Sequence, residues 1–327
     1  MGKTEREIYQ PSAEQRALFP AVSGNTVNGR GEPARRRPTP IYWHRPEALA
    51  HGKLQLYMID RFLKEPALAQ SHKGFGGRGP ERPDAVAPTR AEDTAANWSA
   101  RVKEFALAHD ADLVGIARMD PDWVFEGYEV DAPFIVMLGV AMDQPRLART
   151  APELDSALEV QAQYNRGTRA ARYLANWIRG QGWHAAPHGG PWAGPVTLIP
   201  PALACGFGEL GKHGSIINRH YGSSFRLAGV TTDLPLLPDQ LDTFGAEDFC
   251  TSCQVCKNAC PPQAIIDDKQ MVRGTAKWYV DFDKCIPYFN DTHGCGICIA
   301  VCPWSRPGTA PKLAERMTRR RERLAAE

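Results

Sequence analysis

Residues 250–261 read Cys-Thr-Ser-Cys-Gln-Val-Cys-Lys-Asn-Ala-Cys-Pro, and residues 295–303 read Cys-Gly-Ile-Cys-Ile-Ala-Val-Cys-Pro. Together with Cys285, which stands alone between them, these runs hold eight of the nine cysteines. Three closely spaced thiolates can bind three corners of an iron–sulfur cubane. The fourth cysteine, which precedes a proline, lies out of reach and ligates the other cubane. The stretch 249–304 therefore predicts two [4Fe–4S] clusters with crossed ligands.

The spacing assigns each cysteine to a cluster. One cluster is predicted on Cys250, Cys253, Cys256 and Cys302, and the second on Cys260, Cys285, Cys295 and Cys298. Four-cysteine zinc sites use two C-x2-C pairs instead, and disulfides need an oxidising compartment. The ninth cysteine, Cys205, is predicted to be a small buried apolar residue.

The composition excludes several classes of protein. The chain has 327 residues, an apolar fraction of 43% and a net charge of +2. That charge gives no reason to expect nucleic acid or an anionic membrane as a partner. No apolar run reaches the length of a membrane span. The triplet Arg35-Arg36-Arg37 could suggest a twin-arginine export signal, but it is followed by Pro-Thr-Pro and not by an apolar segment. We therefore expect no export signal and predict a cytoplasmic protein.

The pattern along the chain predicts four regions. Residues 1–90 are predicted to form an extended arm or a partly disordered lead-in, with a short helix at 53–64 and a loop at 74–88. Residues 91–243 show an α/β pattern, 244–310 form the cluster module, and 311–327 form a basic tail with a solvated helix. Within the α/β region we expect a helix around 98–109, a long helix over 152–179, and strands at 112–117, 134–140, 197–199 and 227–231.

A glycine-rich turn at 206–211 precedes the cysteine stretch. Such turns let backbone N–H groups approach a bulky ligand, although glycine turns are common and this one is not G-x-G-x-x-G. About 240 residues precede the clusters, more than an electron carrier needs, so the body is predicted to hold a second redox cofactor or a docking surface.

An ordered set of sequence blocks resembles the corrinoid-dependent reductive dehalogenases, over roughly residues 90–310. The blocks are 111–117, 120–124, 136–143, 208–211, Tyr221-Gly222, Arg226-Leu227, 230–236 and 295–304. The absence of an export signal makes the chain similar to the cytoplasmic, catabolic type.

The resemblance implies a fold and a cofactor. The expected fold class is α/β (α+β): a nitroreductase-like domain that binds base-off cobalamin, followed by a ferredoxin-like module with two [4Fe–4S] clusters. Cobalamin contacts are then expected at Gly206, Gly208, Gly211, Ile217, His220, Tyr221 and Trp304.

The resemblance also implies an activity, the reductive dehalogenation of an organohalide by Co(I) cobalamin. The two clusters would bring electrons from an external donor protein. A tyrosine would supply the proton, and Tyr164 stands at the family's position, with Arg226 as the matching cation. A phenol with a pKa near ~10 needs such a cation to act as an acid at neutral pH. Periodicity alone would instead make Tyr164 a core residue and Arg226 a structural ion-pair partner.

Two alternative functions accompany this hypothesis, and one further motif is set aside. An epoxyqueuosine reductase would share the glycine and cysteine blocks but should bring a basic tRNA-binding surface. A non-enzymatic electron-transfer subunit would bind no corrinoid. The segment 291–296 fits a D-x-H-x-x-G cobalt motif, but it lies between cluster ligands, so His293 is interpreted as a loop residue.

Overall fold

A computed structural model describes residues 7–73, 83–191 and 194–326 of the chain. Within them the helices are α1 (Ala13–Ala17), α2 (Gly24–Val27), α3 (Gly52–Lys64), α4 (Pro66–Lys73), α5 (Ala95–Ala108), α6 (Gln144–Thr150), α7 (Leu154–Gly180), α8 (Ile199–Ala204), α9 (Ala246–Ser252), α10 (Val255–Ala259), α11 (Phe282–Asp291), α12 (Ile297–Ala300) and α13 (Ala310–Ala326). The strands are β1 (Leu113–Arg118), β2 (Phe134–Ala141), β3 (Ala185–His188), β4 (Glu209–Leu210), β5 (Ile216–Ile217), β6 (Phe225–Thr232), β7 (Gln270–Val272) and β8 (Thr275–Lys277).

A four-stranded antiparallel sheet forms the centre of the body, in the order β1-β2-β6-β3. Strand β2 is buried on both faces, which explains why its sequence is an unbroken apolar run. Its even-numbered residues Val136 and Leu138 pack with α5 and α7, while the odd-numbered Ile135 and Met137 pack on the side of α8. The predicted mixture of helices and strands is confirmed.

Most of the predicted elements of the body are confirmed. Helices α5 and α7 and strands β1, β2 and β6 lie where the periodicity predicted them. The strand predicted at 197–199 is wrong, because Ile199 begins α8. The next two residues are prolines, which lack an N–H and suit the first turn of a helix. The predicted loop at 74–88 falls mostly on residues 74–82, outside the described residues.

The N-terminal region packs against the helix that carries Cys285. Asn290 of α11 is fully buried, and its Oδ1 accepts a hydrogen bond from Tyr42 Oη at 2.7 Å. Gln15 Nε2 donates to the carbonyl of Pro287 at 3.1 Å. Asp283 accepts from the backbone N–H of Gly24 at 2.8 Å. Residues 7–46 contain only short helical turns and make specific contacts along α11.

The C-terminal helix α13 is confirmed as a helix, but the expectation that it is solvated is wrong on one face. Ala310, Ala314 and Met317 are buried in a cluster with Phe244 and Trp304. Its arginine run lies on the outer, exposed face. Among the described residues, no helix combines the length and the apolar character needed to cross a bilayer.

Candidate functional site

A cavity of about 1060 Å³ lies between the sheet and the cysteine-rich segment. Its walls come from α7, the end of β3, the start of β6, the β4–β5 turn, the β7–β8 hairpin and the loop after α11. The volume exceeds the roughly 300–1,000 Å³ typical of sites for drug-sized ligands. Part of it is the space beside four cysteine thiols, where a cubane would sit.

Tyr164 and Arg226 meet on one wall of this cavity. The guanidinium carbon of Arg226 lies 5.3 Å from the centroid of the Tyr164 ring. Gly167, one helical turn after Tyr164, packs against Ala228, two residues after Arg226 on the same face of β6. The close approach of α7 to β6 at Gly167 therefore brings the side chains of Tyr164 and Arg226 together. The buried Nε of Arg226 has no hydrogen-bond partner among the described residues.

The segment after β3 also packs against the Tyr164 ring. A Cβ on Gly190 would lie 2.5 Å from Tyr164 Cε1, so a side chain there would displace the tyrosine. The preceding His188 is buried, and its Nε2 lies 2.9 Å from Thr231 Oγ1. Burial lowers the pKa of His188 to about 4, which keeps the imidazole neutral at pH 7.

The eight cysteines of the predicted cluster motifs fall into two groups. We call Cys250, Cys253, Cys256 and Cys302 the distal cysteine group, and Cys260, Cys285, Cys295 and Cys298 the cavity-side cysteine group. The pKa of Cys250 is raised to about 12, mainly by burial and further by three neighbouring thiols, those of Cys302, Cys256 and Cys253. The pKa of Cys285 is also raised to about 12, mainly by burial and further by the thiols of Cys295 and Cys260. The last cysteine of each motif, Cys260 or Cys302, thus lies with the cysteines of the other motif.

The two groups differ in their position relative to the cavity. All four members of the cavity-side cysteine group line it, and no member of the distal cysteine group does. The Cys256 thiol of the distal cysteine group is close enough to raise the pKa of Cys298 in the cavity-side cysteine group. The two groups therefore lie side by side. Within the described residues, no set of three His, Cys, Asp or Glu side chains gathers around one point suitable for a single metal ion. The ligands of a cubane bind different iron atoms.

The loop after α11 shapes the cavity-side cysteine group. Gly294 and Gly296 adopt positive φ of 115° and 78°, and Cys295 between them has a φ of 29°. Glycine enters this region without steric penalty. His293 has a φ of 52° and lies in the same loop, but it is not among the residues that line the cavity.

The glycine-rich turn is explained by chain packing. A Cβ on Gly208 would lie 2.0 Å from the carbonyl oxygen of Ile217, and one on Gly206 would lie 2.5 Å from that of Gln240. The residues of this region that face the cavity are Leu210, His213, Gly214, Ser215 and Ile216. The structure describes all seven residues predicted to contact cobalamin, and none of them lines the cavity: Gly206, Gly208, Gly211, Ile217, His220, Tyr221 and Trp304.

Two of the residues interpreted from sequence have clear packing roles. Trp304, which was predicted to contact cobalamin, is 1% exposed and packs against Phe244 and Phe249. Cys205 is buried and has a raised pKa, caused mainly by burial, as expected of a small apolar residue. Lys212 is 1% exposed, although a lysine is ordinarily a surface charge.

Sequence reasoning missed several polar residues around the site. Glu209 Oε2 accepts hydrogen bonds from the backbone N–H groups of Phe244, Gly245 and Ala246 at 2.9, 2.7 and 2.7 Å. Lys277 lines the cavity, and burial lowers its pKa to about 8. No motif marks these residues, since their roles depend on contacts between distant segments.

Comparisons with known proteins agree with this geometry. Residues 249–305 match the family described as 4Fe-4S dicluster domain. A tetrachloroethene reductive dehalogenase from Desulfitobacterium hafniense is 32% identical over 211 residues, covering 61% of this chain and 37% of that protein. A solved catabolic reductive dehalogenase, in complex with 3-bromo-4-hydroxybenzoic acid, superposes with a TM-score of 0.67 at 25% identity, covering 86% of this chain and 41% of that one.

A second enzyme is similar over a shorter stretch. An epoxyqueuosine reductase from Cyclobacterium marinum is 34% identical over 129 residues, covering 34% of this chain and 38% of that protein. The chain thus spans well under half the length of each of these relatives.

The fold and the cysteine-rich segment define an iron–sulfur protein with a C-terminal 4Fe-4S dicluster domain. Within that class, the chain is related to the reductive dehalogenases by sequence and by fold.

Proposed function

We propose that the chain carries out reductive dehalogenation of an organohalide with bound cobalamin. The observation that carries the proposal is one cavity whose walls include both the Tyr164–Arg226 pair and the four thiols of the cavity-side cysteine group. The reaction consumes two electrons and one proton, and converts a carbon–halogen bond into a carbon–hydrogen bond plus halide. It needs an electron path and a proton donor at the same place.

The cavity fits a large cofactor with a broad apolar face. Its volume is about 1060 Å³, and most of its lining surface is apolar, with charged side chains such as Arg35, Asp120 and Lys277 among the polar groups. The unpartnered Nε of Arg226 is a buried donor that a ligand could satisfy. Leu198, Ile199, Leu210 and Ile216 would bind the flat face. When bound, base-off cobalamin would supply the strongly reducing cobalt centre that breaks the carbon–halogen bond.

The two cysteine groups are proposed to hold one [4Fe–4S] cluster each. The neighbour relations of Cys250 and Cys285 support the crossed assignment. Because only the cavity-side cysteine group lines the cavity, the electron from an external donor protein would enter at the distal cluster. It would then pass to the cavity-side cluster and on to the cofactor.

Tyr164 is proposed as the proton donor. Its loss of a proton leaves a phenolate, and the guanidinium beside the ring stabilises that anion. The backbone of Gly190 packs against the ring, and the absence of a side chain there lets Tyr164 keep its place in the cavity wall. Halogenated phenols and alkenes are the substrate classes to screen first.

Turnover by reconstituted protein tests the proposal. The protein is loaded with iron, sulfide and cobalamin without oxygen, and halide release is measured with a reduced viologen as donor. We expect Tyr164→Phe to keep the cofactors and to lose at least about 100-fold in turnover, the usual contribution of a general acid. Tyr173→Phe is the matched control, because Tyr173 lies on the same helix α7 but outside the cavity lining.

One outcome would contradict the proposed function, and another would contradict only the role of Tyr164. A visible spectrum without corrin absorption, after loading of a protein with intact clusters, would leave the electron-transfer alternative. Near-normal turnover in Tyr164→Phe would remove the tyrosine from the reaction while leaving the dehalogenase activity in place.

A further inference from the structure

Lys212 is a buried cation without a buried anion beside it. Its side chain is 1% exposed, although long charged side chains are rarely buried without a partner. Across the part of the chain that the structure describes, no salt bridge involves Lys212. Its ammonium donates a long hydrogen bond, 3.5 Å, to the carbonyl of Thr251 and lies 5.0 Å from the centroid of the Trp278 ring. Its charge also acts on the carboxylate of Asp267, which is exposed and already pairs with Lys257. Together these contacts compensate little of the desolvation of a full charge.

The surroundings of Lys212 belong to the distal cysteine group. Its backbone N–H donates to the Cys250 thiol, and Thr251 is the next residue of the same helix α9. Burial raises the pKa of Cys256 to about 12, and the Lys212 charge acts in the opposite direction. The backbone and the ammonium of one residue therefore both act on this group of thiols.

Four thiolates and a [4Fe–4S] core together carry net negative charge, which increases by one on reduction. The net charge around a cluster and the hydrogen bonds to its sulfurs set its reduction potential. A cation in a site of low dielectric constant stabilises the more negative, reduced form more than the oxidised form. The same attraction would compensate the desolvation of the ammonium.

We propose that Lys212 is the counter-ion of the cluster bound by Cys250, Cys253, Cys256 and Cys302 and raises its reduction potential. The step concerned is the uptake of one electron from the external donor by that cluster, with no proton transferred. The inference rests on the cluster ligation proposed above, but not on cobalamin binding or dehalogenation. Lys212 would act on the cluster through its positive charge and would not bind iron.

Lys269 provides a matched control. Its ammonium lies 5.8 Å from the centroid of the same Trp278 ring, but it is about one-third exposed and pairs with Glu247 at 2.6 Å. Solvent and the carboxylate already compensate that charge, so its removal should change the cluster little.

The experiment is a redox titration of the iron-loaded protein without cobalamin, followed by electron paramagnetic resonance. Relative to wild type, Lys212→Met should lower the reduced-to-oxidised ratio of one cluster at least tenfold at a fixed potential. That change equals about 59 mV for a one-electron couple. Lys212→Arg should stay close to wild type, Lys269→Met should leave both clusters unchanged, and the second cluster should titrate normally throughout.

The outcomes against the proposal are separate from those against dehalogenation. Equal midpoints in Lys212→Met and Lys269→Met would overturn it. If Lys212→Met and Lys212→Gln lose iron while Lys212→Arg keeps it, the need for a positive charge is supported. Loss of iron from all three variants would assign Lys212 a packing role and overturn the proposal. Cubane signals missing from the wild type would contradict the ligation itself.

Discussion

At the scale of single residues, Glu209 links the body to the cluster module. One carboxylate oxygen accepts three consecutive backbone N–H groups, at the N-terminus of the helix that carries Cys250. A negative charge is favourable there because the first N–H groups of a helix have no partner within the helix. Glu209 thus fixes the position of Cys250, a proposed cluster ligand, from a turn distant in sequence.

We expect Glu209→Ala to lower the free energy of unfolding by about 3–5 kcal/mol, since it leaves buried N–H groups unpaired. Glu209→Gln keeps one acceptor oxygen and should lose less, about 1–2 kcal/mol. Thermal unfolding of the iron-loaded protein, followed by circular dichroism, measures the difference. The exposed Glu104→Ala on α5 is the control and should change the midpoint by about a degree or less. Equal midpoints for Glu209→Ala and Glu104→Ala would contradict the linking role.

The sequence predicted residues whose spacing is itself the signal. The cysteine runs have a local geometry that needs no tertiary information. Lys212 and Glu209 have no such pattern, because burial of a charge is decided by segments that are far apart in the chain. The glycines at 206 and 208 were detected, but their reason is a close approach of the chain to Gln240 and Ile217.

At the scale of elements, two short helices exchange cysteines between motifs. Cys260 follows α10, Cys302 follows α12, and the two helices pack together. A helix of one turn carries its last cysteine away from the three that precede it. The two motifs are therefore expected to assemble as one unit.

Paired cysteine substitutions test this exchange. Under crossed ligation, Cys260→Ala with Cys295→Ala removes ligands of one cluster, so iron should fall from roughly eight to roughly four atoms per chain. Cys260→Ala with Cys253→Ala removes ligands of both clusters and should lose nearly all iron. Cys205→Ala is the control and should keep it. The reverse order of the two double variants would indicate ligation within each motif.

Apolar periodicity predicted the long central elements correctly, but it failed for the short run at 197–199 and for the burial of helix α13. Strand β2 and helix α7 have strong patterns and were predicted within two residues of their observed ends. The run at 197–199 is apolar but too short to distinguish a strand from the start of a helix. Helix α13 was misjudged because a few alanines and one methionine among many charges are enough to bury one face.

At the scale of the whole molecule, three groups of side chains follow one another: the two cysteine groups and the Tyr164–Arg226 pair. The distal cysteine group lies away from the cavity, the cavity-side cysteine group lines it, and Tyr164 with Arg226 lies on another part of its wall. The N-terminal region packs on α11, where Tyr42 donates a hydrogen bond to Asn290 and Gln15 donates one to the carbonyl of Pro287. The sequence could predict the components but not their order, which depends on the packing of α7 and α11 around one space.

The most direct test is a crystal structure of the iron-loaded protein with cobalamin. The account predicts a corrin ring in the cavity, between the Tyr164 phenol and the cluster on Cys260, Cys285, Cys295 and Cys298. A structure with both clusters in place and the corrin bound elsewhere, or with no corrin at saturating cobalamin, would contradict it.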